Sequence, residues 1–205
     1  MEEKALPKKK TAKSAIHELY DWTESILAAL IAVIIILVFV VRTTRVEGGS
    51  MLPTLHDSEF LAITHLYSGL KYNDIVVIYA KNIETDENEY GKPIIKRVIG
   101  LPGDTIYLDS GNGVIYRNDE ALPTEYRDGL IYEDGHVIND YTRSRGEMPE
   151  GATWTVPEYH IFVLGDNRNY SKDSRNRDVG MVDQNYVIGR VILRITPFDK
   201  FGMVN

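Results

Sequence analysis

Hydrophobic and polar positions along this chain follow two different rhythms. Between residues 25 and 41 (SILAALIAVIIILVFVV) no charge occurs, and residues 26 to 41 form an unbroken apolar run. As a helix that run rises about 24 Å at ~1.5 Å per residue, slightly short of a bilayer's hydrocarbon core. Extended back to Trp22 it reaches roughly 30 Å, with Tyr20 and Trp22 at an interface and Glu24 within reach of headgroups. No polar stripe interrupts it, as the exposed face of a globular-core helix requires, so the pattern predicts one membrane-spanning helix over 22 to 41. The alternative is a cleaved secretory signal. The flank reads Arg42-Thr43-Thr44-Arg45, and the nearest small-x-small site is Val46-Glu47-Gly48, so an uncleaved anchor is the preferred reading.

Beyond residue 41 the apolar positions come in short runs rich in Val, Ile, Tyr and Thr, separated by Gly, Asn, Asp and Pro. They are FLAITHL (60 to 66), DIVVIYA (74 to 80), PIIKRVIGL (93 to 101), DTIYL (104 to 108), GVIYRN (113 to 118), HIFVLG (160 to 165) and VIGRVILRI (187 to 195). Runs of this length and composition predict strands, and so a mainly β chain: one transmembrane helix, then an antiparallel β domain. Asn112-Gly113 predicts a hairpin turn, since both residues accept positive φ. From about 110 to 158 the sequence is polar and Gly-rich, which marks an insertion lobe. The expected organisation is an N-terminal segment (1–21), a spanning helix (22–41) and a β domain (42–205).

Charge assigns sides to that arrangement. Lys4, Lys8, Lys9, Lys10 and Lys13 precede the apolar run and only Arg42 and Arg45 follow it closely, so the positive-inside rule places the N-terminus in the cytoplasm and residues 42–205 outside. The net charge is −7, and the excess acid lies beyond the apolar run. An acidic, loop-rich domain is a poor platform for phosphate backbones, which excludes nucleic acid as the expected partner and leaves the phospholipid bilayer. The absence of cysteine removes both a disulfide framework and a thiolate metal site.

Candidate chemistry begins at GGSMLPTL, residues 48 to 55. Gly48 and Gly49 permit positive φ and close approach of a substrate backbone, while Pro53 fixes its own φ and pushes Leu52 toward extended geometry. Ser50 therefore sits on a stiff, open turn, either a nucleophile or simply a turn residue. It stands nine positions beyond Val41, so even a fully extended link keeps it within about 30 Å of the membrane face. A serine hydroxyl needs a base. His17, His56, His65, His136 and His160 are scattered, and no G-x-S-x-G elbow is present, so a Ser-His-Asp triad has no positive support. In PIIKRVIG, strand alternation puts Lys96 on one face with Ile94 and Val98. Desolvation there disfavours its ammonium form, and bringing the pKa from about 10.4 to ~8 costs roughly 3 kcal/mol. The competing account is an edge-strand lysine that snorkels to water. Ser68-Gly69-Leu70-Lys71 matches S-x-x-K, but Gly69 and the following strand argue for a loop. Asp166 to Asp173 is oxygen-rich, yet Arg168 occupies the place of a calcium loop's second ligand, so this segment reads as a hydrogen-bonded structural loop.

Four segments in this order after a single anchor, namely GGSMLPTL, YNDIVVIYA, KPIIKRVIGLPGD and FVLGDNRNYSKDSRNRDVGMV, resemble the bacterial type I signal peptidases. The resemblance implies a Ser-Lys dyad, with Ser50 as nucleophile and Lys96 as general base. It implies that Ser171 orients the Lys96 amine, that Asp173 and Arg175 pair to hold their loop beside it, and that the Ser50 N–H is one oxyanion donor. Val46, Met51, Leu55 and Ile95 would line the small pockets and the edge against which a peptide lies extended. Gly48 stands where some members carry a serine whose hydroxyl completes the oxyanion hole, which leaves the second donor open and is similar to Gram-positive members. Asn73 replaces the usual glycine before the aspartate, which a turn tolerates because Asn accepts the left-handed region. Lysine rather than histidine in KRVIG resembles the prokaryotic branch. The function so implied is removal of signal peptides from exported preproteins at the membrane surface, by cleavage after a small residue, with no cofactor. Two alternatives are a self-cleaving repressor-type protease, which needs a DNA-binding head that the anchor replaces, and a catalytically silent anchored paralogue that binds exported proteins.

Overall fold

The computed structural model describes residues 12–39, 41–84, 90–109, 114–122, 153–168 and 170–204. The chain forms two compact units, Met1–Val41 and Arg42–Asn205.

In the first unit a helix, α1, runs Ala12–Phe39. It begins earlier than the expected boundary at 22, because residues 12 to 21 contain good helix formers and neither Gly nor Pro. Val41 is already strand. Its large apolar side chains, among them Trp22, Ile26, Leu30 and Ile34, are exposed. Among the described residues no helix is long and apolar enough to cross a membrane, so the span expected at 22–41 is not found in them. The side chains described on α1, residues 17–34, include Glu18, Asp21 and Glu24.

The second unit is built on strands β1 (Val41–Arg45), β2 (Phe60–Thr64), β3 (Ile75–Glu84), β4 (Tyr90–Gly100), β5 (Thr105–Asp109), β6 (Val114–Arg117), β7 (Glu120–Ala121), β8 (Thr153–Thr155), β9 (His160–Leu164), β10 (Val182–Asp183) and β11 (Val187–Thr196). Among the described residues they form a seven-stranded sheet, ordered β1-β2-β11-β3-β4-β9-β10, and a four-stranded sheet, ordered β7-β6-β5-β8. The pairings β2/β11, β3/β11, β3/β4, β4/β9 and β5/β6 are antiparallel, as expected.

All seven apolar runs form strands. Alternation explains why the larger sheet is covered on both faces: Ile75 and Val77 of β3 pack with Leu61, Ile63 and Ile95, while Val76 and Ile78 pack with Val98, Ile161 and Val163. A third cluster joins Ile99, Phe162 and Leu164 of the larger sheet to Ile106, Leu108 and Ile115 of the smaller one. The Asn112-Gly113 turn lies outside the described residues, although Asp109 and Val114 close an antiparallel β5–β6 pair around it. Much of the expected lobe at 110–158 also lies outside them, and its described flanks are β6, β7 and β8. Asn73 takes φ 70°, as its place in the turn before β3 demands.

One feature of β4 positions the site. It pairs with β3 from Lys92 through Arg97, but its pairing with β9 starts only at Arg97, opposite Leu164. Among the described residues, 92 to 96 therefore have no strand paired on one edge.

Candidate active site

Ser50 lies in the turn that follows β1, closed by bonds from Leu52 N–H to Gly49 O (3.2 Å) and from Leu55 N–H to Met51 O (2.8 Å). Gly48 takes φ 76°, a conformation that the absence of a side chain makes accessible. The loop after β9 grips the turn from the other side. Asn167 donates its backbone N–H to Ser50 O (3.0 Å) and its side-chain amide to Gly49 O (3.0 Å). A Cβ on Gly165 would collide with Ser171 and lie 2.5 Å from Ser50 O, so this approach depends on glycine.

β4 brings Lys96 to the same place. Its ammonium donates to Ser50 Oγ (2.8 Å) and to the Ile95 carbonyl (2.9 Å). The residue is 3% exposed. Burial pushes its pKa from 10.5 to about 8; Asp173 and Asp166 pull it back up, while Lys92 and Arg175 lower it further. The lysine does not snorkel, because its strand is paired and its neighbours on β3 and β4 are apolar.

Asp173 and Arg175 pair tightly, Arg175 Nε to Asp173 Oδ1 at 2.8 Å and Nη2 to Oδ2 at 2.9 Å, and Gly165 N–H adds a bond to Asp173 Oδ2 (3.0 Å). Complete burial opposes the charge on Asp173, but Arg175 and the Gly165 N–H outweigh it and hold the carboxyl below its ordinary range. The nearby Arg168 is also buried; desolvation first, then repulsion from Arg175, brings its pKa down to about 10. It remains a cation at neutral pH. Ser171 is 4% exposed and packs against Gly165; its hydroxyl makes no hydrogen bond to Lys96, and its contact with Asp173 helps keep that carboxyl low.

Gly48, without a side chain, offers no hydroxyl donor. Its N–H is engaged by Asp57 Oδ1 (2.8 Å), a bond that, with the Ser58 hydroxyl, lowers the Asp57 pKa. The Ser50 N–H has no protein acceptor among the described residues.

Ser50 and Lys96 open into a groove of about 420 Å³ between residues 44–51 on one side and the open edge of β4 on the other, with Tyr170 and Lys172 also at its wall. Val46, Met51 and Ile95 lie along its wall. Leu55 does not: it is wholly buried with Leu61 and Ile63, because the Met51–Leu55 turn points it into the core.

Four residues near the site carry no role in the sequence reading. Arg97, fully buried, forms a bidentate pair with Asp166 (Nε to Oδ1 2.8 Å, Nη2 to Oδ2 2.7 Å) and donates Nη1 to Asn73 O (3.0 Å). Thr54 Oγ1 donates to Asp166 Oδ2 at 2.6 Å. With Asn167 these groups tie the Ser50 turn to the Lys96 strand. Asp166 and Arg97 fall inside the GDN and KRVIG strings, but nothing local to either string announces their pairing.

Three comparisons bear on what this arrangement is. The family described as "Signal peptidase, peptidase S26" matches residues 19–196. Signal peptidase IB of Staphylococcus aureus is 33% identical over 192 residues, covering 90% of this chain and 93% of that protein. Signal peptidase I of Bacillus licheniformis is 34% identical over 187 residues, covering 90% and 92%. Among solved structures, a signal peptidase I from Enterococcus faecalis matches with a TM-score of 0.42 and 28% identity over 61% of this chain and 98% of that one.

Proposed function

Because the chain belongs to the signal peptidases of the peptidase S26 family, as a bacterial type I enzyme that removes signal peptides, we propose that it does so with a Ser50–Lys96 dyad on preproteins held at the membrane. The observation that carries the dyad is the 2.8 Å contact between Lys96 Nζ and Ser50 Oγ at a lysine whose pKa burial lowers to about 8.

In the reactive state the amine is neutral, and the contact reverses: Ser50 Oγ–H donates to the Nζ lone pair, while an Nζ–H still donates to the Ile95 carbonyl. Lys96 takes the hydroxyl proton as Ser50 Oγ adds to the scissile carbonyl, and returns it to the departing amine. Water then attacks the acyl-enzyme with Lys96 again as base, releasing the signal peptide's new carboxylate. The Ser50 N–H is assigned to the developing oxyanion. Ser171, buried beside Gly165 and the Asp173 carboxylate, is assigned the orientation of the neutral amine, and the Asp173–Arg175 pair holds that loop in place.

An extended peptide in the groove adds to the open edge of β4, and its small side chains at −1 and −3 face Val46, Met51 and Ile95. Residues 22–41 are assigned as a single-pass anchor with the N-terminus cytoplasmic and residues 42–205 outside. The exposed apolar side chains of α1 support this, since water is a poor surround for so many of them.

The test uses the full chain in mild detergent with a preprotein carrying an Ala-x-Ala site, reading product mass. Wild type should cleave after the −1 Ala, and Ser50→Ala and Lys96→Ala should each lose at least about 10³-fold. A Ser50→Ala protein that still cuts at the same bond removes the dyad. The cysteine-free sequence allows the topology to be read from single cysteines introduced at Lys10 and Glu120. An impermeant thiol reagent on intact cells should label only the latter, and the opposite pattern reverses the assignment.

A further inference from the structure

The Ser50 turn is fastened at two points, and the second lies four residues beyond the nucleophile. At the first, Asn167 holds the Gly49 and Ser50 carbonyls. At the second, Thr54 is engaged through both of its functional groups. Its hydroxyl donates to Asp166 Oδ2 (2.6 Å), and its carbonyl accepts from Arg194 Nη2 on β11 (2.5 Å). Arg194 is itself fixed by Glu59, with 3.0 Å between Nε and Oε2, and Glu59 is 3% exposed.

Asp166 connects this fastening to the base. Both of its oxygens accept from Arg97, the residue after Lys96 on β4. A closed path therefore runs from Ser50 through the turn to Thr54, across Asp166 to Arg97, and back along β4 to Lys96. Asp166 and Asn167 are adjacent, so one short loop sets both ends of the turn against the lysine strand. The turn itself has only its two internal bonds, from Leu52 to Gly49 and from Leu55 to Met51, to resist twisting.

We propose that Thr54, braced by Arg194, is a positioning residue that sets the Ser50–Lys96 distance for the reaction proposed above. The inference rests on that reaction. Within the path Thr54 is the one link that can be cut without stranding a buried charge: Thr54→Val keeps the shape and the carbonyl and removes only the hydroxyl. Displacing a nucleophile by about 1 Å costs on the order of 10²-fold, which gives the expected scale.

The experiment measures kcat, KM and thermal midpoint for the full chain on the Ala-x-Ala preprotein. Thr54→Val should lower kcat about 10- to 100-fold, leave KM within about twofold, and move the rise of rate to higher pH as water reaches Lys96 and relieves its desolvation. Thr54→Ser, which keeps the hydroxyl, should recover most of the loss. Arg194→Lys keeps a cation against Glu59 but lacks the fork to reach the Thr54 carbonyl as well. It should lower kcat about tenfold at an unchanged thermal midpoint, and it decides the matter if Thr54→Val does not fold. Wild-type kcat in Thr54→Val, or equal loss of kcat and thermal midpoint in Thr54→Val and Thr54→Ser, overturns the positioning role while the peptidase reading stands. Wild type that cleaves no preprotein overturns both.

Discussion

A buried lysine works against the fold that holds it, and Lys96 gives that opposition a size. Lowering its pKa from 10.5 to about 8 corresponds to roughly 3 kcal/mol of folding free energy at neutral pH. Lys96→Met should therefore be inactive and more stable, with a thermal midpoint several degrees above wild type by calorimetry. A midpoint at or below wild type would mean that the bonds to Ser50 and Ile95 offset the burial. The same group sets the pH dependence: only the neutral amine accepts a proton, so kcat/KM should rise about tenfold between pH 7 and pH 9 and level above that. Gly165 has the opposite character, since a methyl there overlaps Ser171 and the Ser50 carbonyl. Gly165→Ala should destabilise by about 1–3 kcal/mol and reduce activity at least tenfold, measured by denaturant titration beside the cleavage assay. Strand alternation pointed to Lys96, because Ile94 and Val98 on its face are a local signal, although the same pattern also fits a lysine that snorkels to water. No such signal marks Thr54: its partner Asp166 is 112 positions away, and Asn167 reaches Gly49 across 118.

Among the elements, the loop after β9 does the most with the least regular structure. It carries Asp166 and Asp173, each in a bidentate bond with an arginine, and every one of these charges is buried. Removing one partner of such a pair leaves its mate charged and unpaired. Asp166→Asn should cost about 3–5 kcal/mol, seen as a fall in thermal midpoint, and an unchanged midpoint would show that Arg97 finds another acceptor. The stability that Asp173 contributes is present above about pH 4, where the unfolded carboxyl ionises, and is lost as pH falls through its depressed folded value. Longer strands were readable because each has a run of β-branched and apolar residues. The short edge strands β1, β7, β8 and β10 are not, since two to five residues with polar members give no period, and the sheet alone recruits them. α1 starts before the apolar run because helix propensity does not depend on apolar character.

For the molecule as a whole, the proposed anchor and the peptidase unit divide the labour, one confining the enzyme to a surface and the other cutting. Arg42–Asn205 is a compact unit by itself. A chain starting at Arg42 should cleave a short soluble peptide with the kcat/KM of the full chain, and should process a preprotein embedded in vesicles about 10- to 100-fold more slowly. Equal rates on both substrates would make the anchor irrelevant to catalysis. The division was legible from composition alone, because sixteen adjacent apolar residues cannot belong to the same packing problem as alternating strands. What composition could not convey is how β4 ends up with a bare flank. A backbone lined up along that flank is recognised by groups that every amino acid shares, so acceptance depends little on the message written in the side chains. Such an enzyme is a generalist by construction. Under the proposed mode of cleavage, its clients need agree only on a short extended stretch and two small residues, and a lineage of exported proteins can rewrite everything else without losing its exit permit.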